Sequence, residues 1–208
     1  MGLDFNNLQA ELIFNSEKAH FFGLRSSSLA GPYNELLLMR LFQKTFPEVG
    51  FARGNIVMEM DDDGFVKSRK YKQVDIICYR TGREYFKFED LVTIKKHDVY
   101  LAIEVKKWSS PKLMENLQRS IRHFEKEYSP VRMFGVVFRI WRSRNFNLKK
   151  IGKREGLYIF SHSSQKANEW QKPNHLLRQL EREIVGITEI IYEGELKRLI
   201  EDIRKTVE

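Results

Sequence analysis

Two kinds of apolar pattern alternate along the 208 residues of the chain. Apolar residues at three- and four-residue intervals predict amphipathic helices, one starting at Pro111 and others over residues 4–22, 33–42, 176–185 and 195–207. Short runs rich in β-branched and aromatic residues predict strands over residues 50–60, 73–79, 85–88, 99–107, 131–141 and 157–160. This mixture predicts an α/β fold in which a central sheet is flanked by helices, with extra helices at the C-terminal end.

Local signals mark where several of these elements begin and end. The serines at 26–28 followed by Gly31-Pro32 predict a break before the second helix. Ser110 before Pro111 is typical of a helix start, with a serine cap and proline at the first helical position. The acidic run 61–64 predicts a hairpin turn, and residues 94–98 a further connection. The apolar stripe of the helix after Pro111 is predicted to be Leu113, Leu117, Ile121 and Phe124.

Two of the predicted strands carry charged residues in their interiors. Asp75 lies within 73–79, and Glu104 and Lys106 lie within 99–107. Charged groups placed there cost free energy unless something compensates them. The period of two puts Glu104 and Lys106 on one face of their strand, and puts Asp75 on the face opposite that of the apolar residues Val74, Ile76 and Cys78.

This combination points to phosphodiester cleavage. Two carboxylates offer the hard oxygen ligands that Mg²⁺ prefers. The ammonium of Lys106 would then point toward the attacking water. A buried ion pair between Asp75 and Lys106 without catalysis is the alternative.

The same residues carry a resemblance to the PD-(D/E)XK nuclease superfamily. Val74-Asp75 stands where that superfamily has its P-D, although the proline is absent, and Ile103 to Lys106 stands for its (D/E)-x-K. Within the superfamily the chain resembles the NucC-type effector nucleases and related restriction-like proteins. That closer resemblance depends on Gln73 two residues before the aspartate, the segment Phe86-Lys87-Phe88-Glu89, and the second strand Val99 to Lys106. It covers roughly residues 25 to 125.

The resemblance implies a restriction-endonuclease-like core and a metal-dependent activity. It implies one nuclease-like domain over residues 1–208, with the core at about 25–165 and a helical part at about 170–208. Mg²⁺, for which Mn²⁺ can substitute, would be held by Asp75, Glu104 and the carbonyl of Val105. Lys106 would be catalytic, and Glu35 would support the metal site from the preceding helix. A solvated glutamate favoured by the helix dipole is the other interpretation of Glu35.

The resemblance also implies the partners. The expected activity is a DNA endonuclease acting in restriction or anti-phage defence, with double-stranded DNA as substrate, a homo-oligomeric state and a cyclic oligonucleotide as activator. The basic segment 142–154 is a candidate second phosphate-binding pocket, or else a solvated loop. Two alternatives stay open: a catalytically silent nucleic-acid-binding module, and an effector that is inactive until the cyclic oligonucleotide binds.

Charge supports a polyanionic partner. Lysine and arginine outnumber aspartate and glutamate by 36 to 28, a net charge of +8, and phosphate backbones are the commonest polyanions. Gln118 lies on the helix after Pro111, where a solvated surface position is the alternative. The predicted nucleic-acid contacts are Arg69, Lys70, Lys72, Gln73, Lys107 and Gln118.

Other patterns narrow the class further. Cys78 is the only cysteine, which excludes an intrachain disulfide or a thiolate zinc cage, and we expect it to be buried. No apolar run reaches 18 residues and no leader follows Met1, so we expect a cytoplasmic protein without membrane contact. The aromatic residues within 85–88 could stack bases, although a half-buried surface is commoner. His162, among serines, carries little information.

Overall fold

The computed structural model describes residues 4–21, 27–58, 71–141, 155–163 and 189–208. Four helices lie in these ranges: α1 (Phe5–Phe21), α2 (Ser27–Thr45), α3 (Pro111–Glu127) and α4 (Glu195–Val207). The eight described strands are β1 (Val49–Val57), β2 (Tyr71–Arg80), β3 (Glu84–Phe88), β4 (Leu91–Lys95), β5 (Val99–Ser109), β6 (Arg132–Trp141), β7 (Leu157–Ser163) and β8 (Glu189–Ile191).

All eight strands form one mixed sheet in the order β3-β4-β1-β2-β5-β6-β7-β8. The pairs β1–β2, β2–β5, β3–β4 and β7–β8 are antiparallel. The pairs β1–β4, β5–β6 and β6–β7 are parallel. A mixed sheet flanked by helices was the predicted fold class, and it is confirmed.

Helices cover both faces of the sheet. Helices α1, α2 and α4 pack on one face, where Leu38, Phe42 and Ile200 are buried against strand residues such as Ile103 and Phe138. Helix α3 packs on the other face and contributes Met114, Leu117, Ile121 and Phe124 to a second core. Burial of side chains on both faces explains why the central strands are apolar runs rather than alternating sequences.

Buried polar contacts attach α4 to α1 and the sheet. The Gln9 side chain donates to the carbonyls of Phe160 at 3.0 Å and Tyr192 at 2.9 Å, and accepts from the amide of Leu196 at 2.8 Å. Because a buried amide is costly unless it is bonded, these three bonds fix where α4 begins on the sheet. The helix predicted over 195–207 is confirmed.

Helix α3 begins where the sequence predicts. Ser110 caps it, accepting a hydrogen bond at 3.3 Å from the amide of Leu113, and Pro111 takes the first helical position. The predicted apolar stripe is wrong at its first member: Leu113 is exposed and Met114 is buried in its place. Capping fixes the orientation of the first helical turn. The later residues Leu117 and Ile121 therefore show better which side of α3 faces the sheet.

The break predicted over residues 26–32 is wrong from residue 27 onward, and residue 26 lies outside the described residues. Helix α2 runs without interruption from Ser27 to Thr45 and includes Pro32. Pro32 lies one turn inside the helix, and its missing amide removes a single bond to the carbonyl of Ser28. Burial of Leu38, Met39 and Phe42 further along the helix outweighs that loss.

Two strands escaped prediction. Strand β4 lies partly where a connection was expected, and β8 lies beyond the predicted end of the last strand. Both are short and depend on pairing with distant strands, which local sequence does not report. The predicted turn at 61–64, the basic segment 142–154 and the predicted helix 176–185 lie outside the described residues.

The sheet divides between β2 and β5. Their ladder reaches Ile76 opposite Ile103 and goes no further toward the start of β2. Beyond that point β2 stays paired with β1, as far as Tyr71 opposite Val57. Strand β5 stays paired with β6, as far as Ser109. The result is a gap in the sheet, bordered by Asp75 on one side and by residues 104–106 on the other.

An irregularity in β2 lies at the same place. The register between β1 and β2 shifts between Ala52 and Gly54, so that Arg53 faces an extra residue in β2. The shift puts Val74 in the core under α3, whereas Ile76 and Cys78 pack on the other face. The predicted alternation, with all three on one face, is therefore wrong at the bulge. Cys78 is buried, as predicted.

No described helix is long and apolar enough to cross a membrane.

Candidate active site

Asp75 bridges the two strands that border the gap. Its Oδ2 accepts a hydrogen bond at 2.8 Å from the backbone amide of Val105. A continued β2–β5 ladder would use that stretch of backbone for pairing, so the carboxylate replaces part of the ladder where the strands diverge. The bond fixes the direction of the Asp75 carboxylate.

Lys106 connects the other side of the gap to Asp75. Its Nζ forms an ion pair with Glu104 Oε1 and lies 4.0 Å from Asp75 Oδ2. Desolvation acts to lower the pKa of Lys106, but its hydrogen bond to Glu104 and the charges of Glu104, Asp75 and Glu35 outweigh that effect and raise it. Lys106 is therefore an ammonium at neutral pH.

Glu35 reaches the same site from α2. It is buried, so the solvated first-turn interpretation is wrong. Burial raises the pKa of Glu35, and the negative charge of Asp75 raises it further, against the opposing charge of Arg53. The charge of Lys106 also acts on Glu35 and favours its ionised form.

Arg53 is the site residue that sequence reasoning missed. Its Nε lies 2.8 Å from Glu35 Oε2, and its charge also acts on Asp75. Arg53 occupies the β1 position opposite the bulge, and its amide donates to the carbonyl of Asp90 at 2.8 Å. The signal was available: Arg53 is a charged residue inside an apolar strand, as Asp75 and Glu104 are.

The donor set suits a divalent cation. Burial raises the pKa of Asp75, and the negative charge of Glu104 raises it further. Such mutual repulsion is what a cation between the carboxylates would relieve. Within the described ranges, no group of three or more histidine, cysteine or acidic side chains is arranged to hold a metal ion. A site of two carboxylates and the Val105 carbonyl fits Mg²⁺, which keeps several of its waters.

The predicted nucleic-acid contacts fall into three groups. Lys72 and Gln73 are exposed on β2 where it borders the gap. Lys107 follows Lys106 on β5 and so points to the opposite face, where the charges of Glu17 and Arg139 act on it. Gln118 is half-buried on α3. Its neighbour Leu117 packs close to Gly135, and Gly135 pairs with Glu104 across the β5–β6 ladder. Arg69 and Lys70 lie outside the described residues.

His162 lies away from this group. It is buried on β7, with its ring centroid 5.2 Å from that of Tyr192. Its position supports a packing role at the β7–β8 end of the sheet.

The mixed sheet flanked by helices is a restriction-endonuclease-like fold, which the chain shares with solved NucC structures. Among solved structures, NucC of E. coli MS115-1 in its cAAA-bound form matches with a TM-score of 0.59 and 12% identity, over 97% of this chain and 89% of that chain. NucC of P. aeruginosa ATCC27853, also bound to cAAA, matches with a TM-score of 0.53 and 11% identity, over 99% and 93% of the two chains.

At these identities the likeness shows the fold alone. The sequence matches no protein-family model and no curated protein. The chain's own residues at the gap are therefore what can indicate its function.

Proposed function

We propose that the protein is a divalent-metal-dependent nuclease that hydrolyses DNA phosphodiester bonds. The observation that carries the proposal is the convergence of Asp75, Glu104, Lys106 and Glu35 at the gap between β2 and β5. A fold shared with NucC nucleases and a net charge of +8 support it.

Each side chain has a distinct task in this proposal. Mg²⁺, held by Asp75, Glu104 and the Val105 carbonyl, would supply Lewis-acid activation and charge neutralisation. Lys106, as an ammonium, orients the attacking water and offsets negative charge that builds up on the phosphate oxygens. The negative charges of Glu104 and Asp75 raise its pKa, which favours this ammonium form.

Glu104, besides its place at the metal, and Glu35 help to position the charged groups of the site. Glu104 accepts the Lys106 hydrogen bond and so directs the ammonium toward Asp75. Glu35 adds a third negative charge beside Asp75, and the ion pair with Arg53 holds it in place. Water attacks phosphorus and gives up a proton to solvent, the P–O bond to the leaving oxygen breaks, and that oxygen takes up a proton from solvent.

Activation by a cyclic oligonucleotide and a homo-oligomeric state belong to the same proposal. The NucC structures of E. coli MS115-1 and P. aeruginosa ATCC27853 reported above are cAAA-bound forms. The substrate expected from the resemblance is double-stranded DNA, and an anti-phage defence role follows from the same resemblance.

The deciding experiment is cleavage of supercoiled plasmid with Mg²⁺, with and without cAAA. We expect nicking or fragmentation by the wild type in at least one of these conditions, and a loss of about 100-fold or more in Glu104→Ala and Lys106→Ala. Lys197→Ala, which removes an exposed lysine on α4, is the matched control and should retain activity.

Two results would contradict the proposal. Cleavage that survives both substitutions would place the activity elsewhere. No cleavage by the wild type in either condition, combined with metal-independent DNA binding, would instead indicate a silent binding module.

A further inference from the structure

One face of the sheet beside the site carries exposed aromatic side chains. Val92 of β4 is buried in the core under α3. Its neighbours Leu91 and Thr93 therefore point to the opposite face. Phe88 pairs with Leu91, and Phe86 pairs with Thr93, so both rings point the same way as their partners. Phe86 is 57% exposed and Phe88 is 60% exposed.

This face continues across β1 to β2. Arg53 of β1 pairs with Leu91, and Asn55 pairs with both Thr93 and Gln73. Adjacent strands lie about 4.8 Å apart, so the row from Arg53 through β4 to β3 spans about 10 Å. We call the residues Gln73, Asn55, Thr93, Phe86, Leu91 and Phe88 the aromatic face. Arg53 joins it directly to the candidate active site.

The chemistry of the aromatic face suits bases better than phosphates. Phe86 and Phe88 are two residues apart on one strand, about 7 Å from each other, and both rings are open to a stacking partner. Asn55 and Gln73 offer amide donors and acceptors to base edges. Aromatic residues on the open face of a sheet, flanked by polar side chains, are a general way of binding unpaired bases.

Cations lie at both ends of this face, and Arg53, at the inner end, is paired with Glu35. The exposed acids Glu89 and Asp90 lie in the turn between β3 and β4. Lys95 pairs with Val57 in the parallel β1–β4 ladder and is exposed, and Arg53 lies at the inner end. The acidic residue of β3, Glu84, pairs with Ile94, which is buried under α3, so Glu84 points to the other face. A strand that leaves the site over this face would meet cations and rings, and stacking needs bases that are not paired in a duplex.

We propose that the aromatic face binds an unpaired strand of the nucleic acid next to the cleavage site, with bases stacked on Phe86 and Phe88. This inference rests on the proposed nuclease function and extends it to a substrate class: DNA that is locally single-stranded beside the scissile phosphate. Contacts of this kind tolerate any base sequence, because every base has a stacking face.

The test is binding of a fluorescently labelled oligothymidine and of a duplex of equal length, measured by anisotropy in EDTA so that metal-dependent cleavage is absent. We expect the double variant Phe86→Ala/Phe88→Ala to lose about tenfold or more in affinity for the single strand, with a smaller loss for the duplex. Phe86→Tyr/Phe88→Tyr should retain affinity, because tyrosine keeps the ring. The matched control is Leu113→Ala, which removes a side chain that is 55% exposed on α3, at the other face.

The outcomes separate this inference from the nuclease proposal. Equal affinity of the alanine variant and the wild type for the single strand would overturn it, whether or not the plasmid is cleaved. So would sedimentation showing that the alanine variant loses self-association while DNA affinity is unchanged, because the face would then contact a second copy. Loss of single-strand affinity in a protein that cleaves no plasmid would support the aromatic face and count against the nuclease proposal.

Discussion

Each of the three carboxylates at the gap has a different compensating partner. Glu35 has the guanidinium of Arg53, and Glu104 has the ammonium of Lys106. Asp75 has the amide of Val105 at 2.8 Å, with the Lys106 ammonium farther away at 4.0 Å. A neutral amide compensates a charge less fully than a cation does. Asp75 is therefore where a bound cation would change the charge balance most.

Replacement of Arg53 should affect Glu35 first. We expect Arg53→Gln to lower the free energy of unfolding by about 1–2 kcal/mol, because it leaves the buried Glu35 carboxylate without its cation. This value already allows for the weakening of the ion pair by solvent at the part-exposed Arg53 side chain. Glu35→Gln in the same chain should restore most of that loss. Urea denaturation measures both, with Arg83→Gln in the exposed β2–β3 turn as the control. Equal stability of Arg53→Gln and the wild type would show that the ion pair contributes nothing.

The pKa of Asp75 predicts how stability depends on pH. Since its pKa is raised above the ordinary value of 3.8, the folded state binds the proton more tightly than the unfolded chain. The stabilisation from that proton is complete below the unfolded pKa and is lost as pH rises through the folded pKa. At neutral pH, Asp75→Asn should therefore raise the Tm by about 2–4 °C, and the gain should shrink as the solution is acidified below the folded pKa.

Asp202 on α4 provides the opposite case. Desolvation acts to raise its pKa, but hydrogen bonds from Tyr158 and Lys205 outweigh that effect and lower it. Its ionised form therefore stabilises the fold at neutral pH, and Asp202→Asn should lower the Tm there. If thermal melts show both asparagine variants changing the Tm in the same direction, the electrostatic account of Asp75 is wrong.

At the level of elements, β1 determines how the site and the aromatic face fit together. It pairs with β2 on one side and with β4 on the other, and the bulge opposite Arg53 lies in the β1–β2 ladder. Gly54 follows Arg53 with a φ of 145°, a conformation that favours glycine. A Cβ there would lie 1.9 Å from the carbonyl oxygen of Val92, so the close approach of β4 requires glycine.

Gly54→Ala should accordingly be far more damaging than an ordinary glycine substitution. We expect a loss of about 3 kcal/mol or more in the free energy of unfolding, because backbone atoms of β4 must move to make room. Gly82→Ala is the control: its φ is also positive, at 77°, but nothing lies within 4 Å of the added Cβ. That variant should lose only about 1–2 kcal/mol. Equal losses in denaturant titrations would mean that the β1–β4 contact is not as close as described.

At the level of the whole molecule, the site links two parts of the sheet. Strands β1 to β4 lie on one side of the gap, and β5 to β8 lie on the other. Ligands held by Asp75 and by Glu104 would connect both sides. Anything that binds the folded state alone also raises its apparent stability.

Addition of Mg²⁺ should therefore stabilise the fold independently of any catalysis. At ten times the dissociation constant we expect a gain of about 1.4 kcal/mol, or roughly 3–6 °C in Tm. NaCl at matched ionic strength should not reproduce it, and Asp75→Asn should abolish it. An equal shift in Asp75→Asn would place the cation at another site.

Much of the site could be predicted from the sequence, because its charged residues lie inside predicted apolar strands, where charges are rare. Asp75, Glu104 and Lys106 are charged residues inside apolar strands, and the spacing of Glu104 and Lys106 fixes their shared face. Ser110-Pro111 and the stripe of α4 are equally local signals, and both were confirmed. Arg53 was missed although it breaks the same rule, since nothing near it in sequence supplies its partner Glu35.

The sequence by itself determined the kinds of element, most of their positions and the charged residues that compose the site. These depend on residue type and short-range periodicity, which a single strand or helix expresses on its own. Only the tertiary structure decided the gap between β2 and β5, the bulge opposite Arg53, the strand β4 and the exposure of Phe86 and Phe88. Each of these depends on the register between segments far apart in the chain, and register is a property of the assembled sheet.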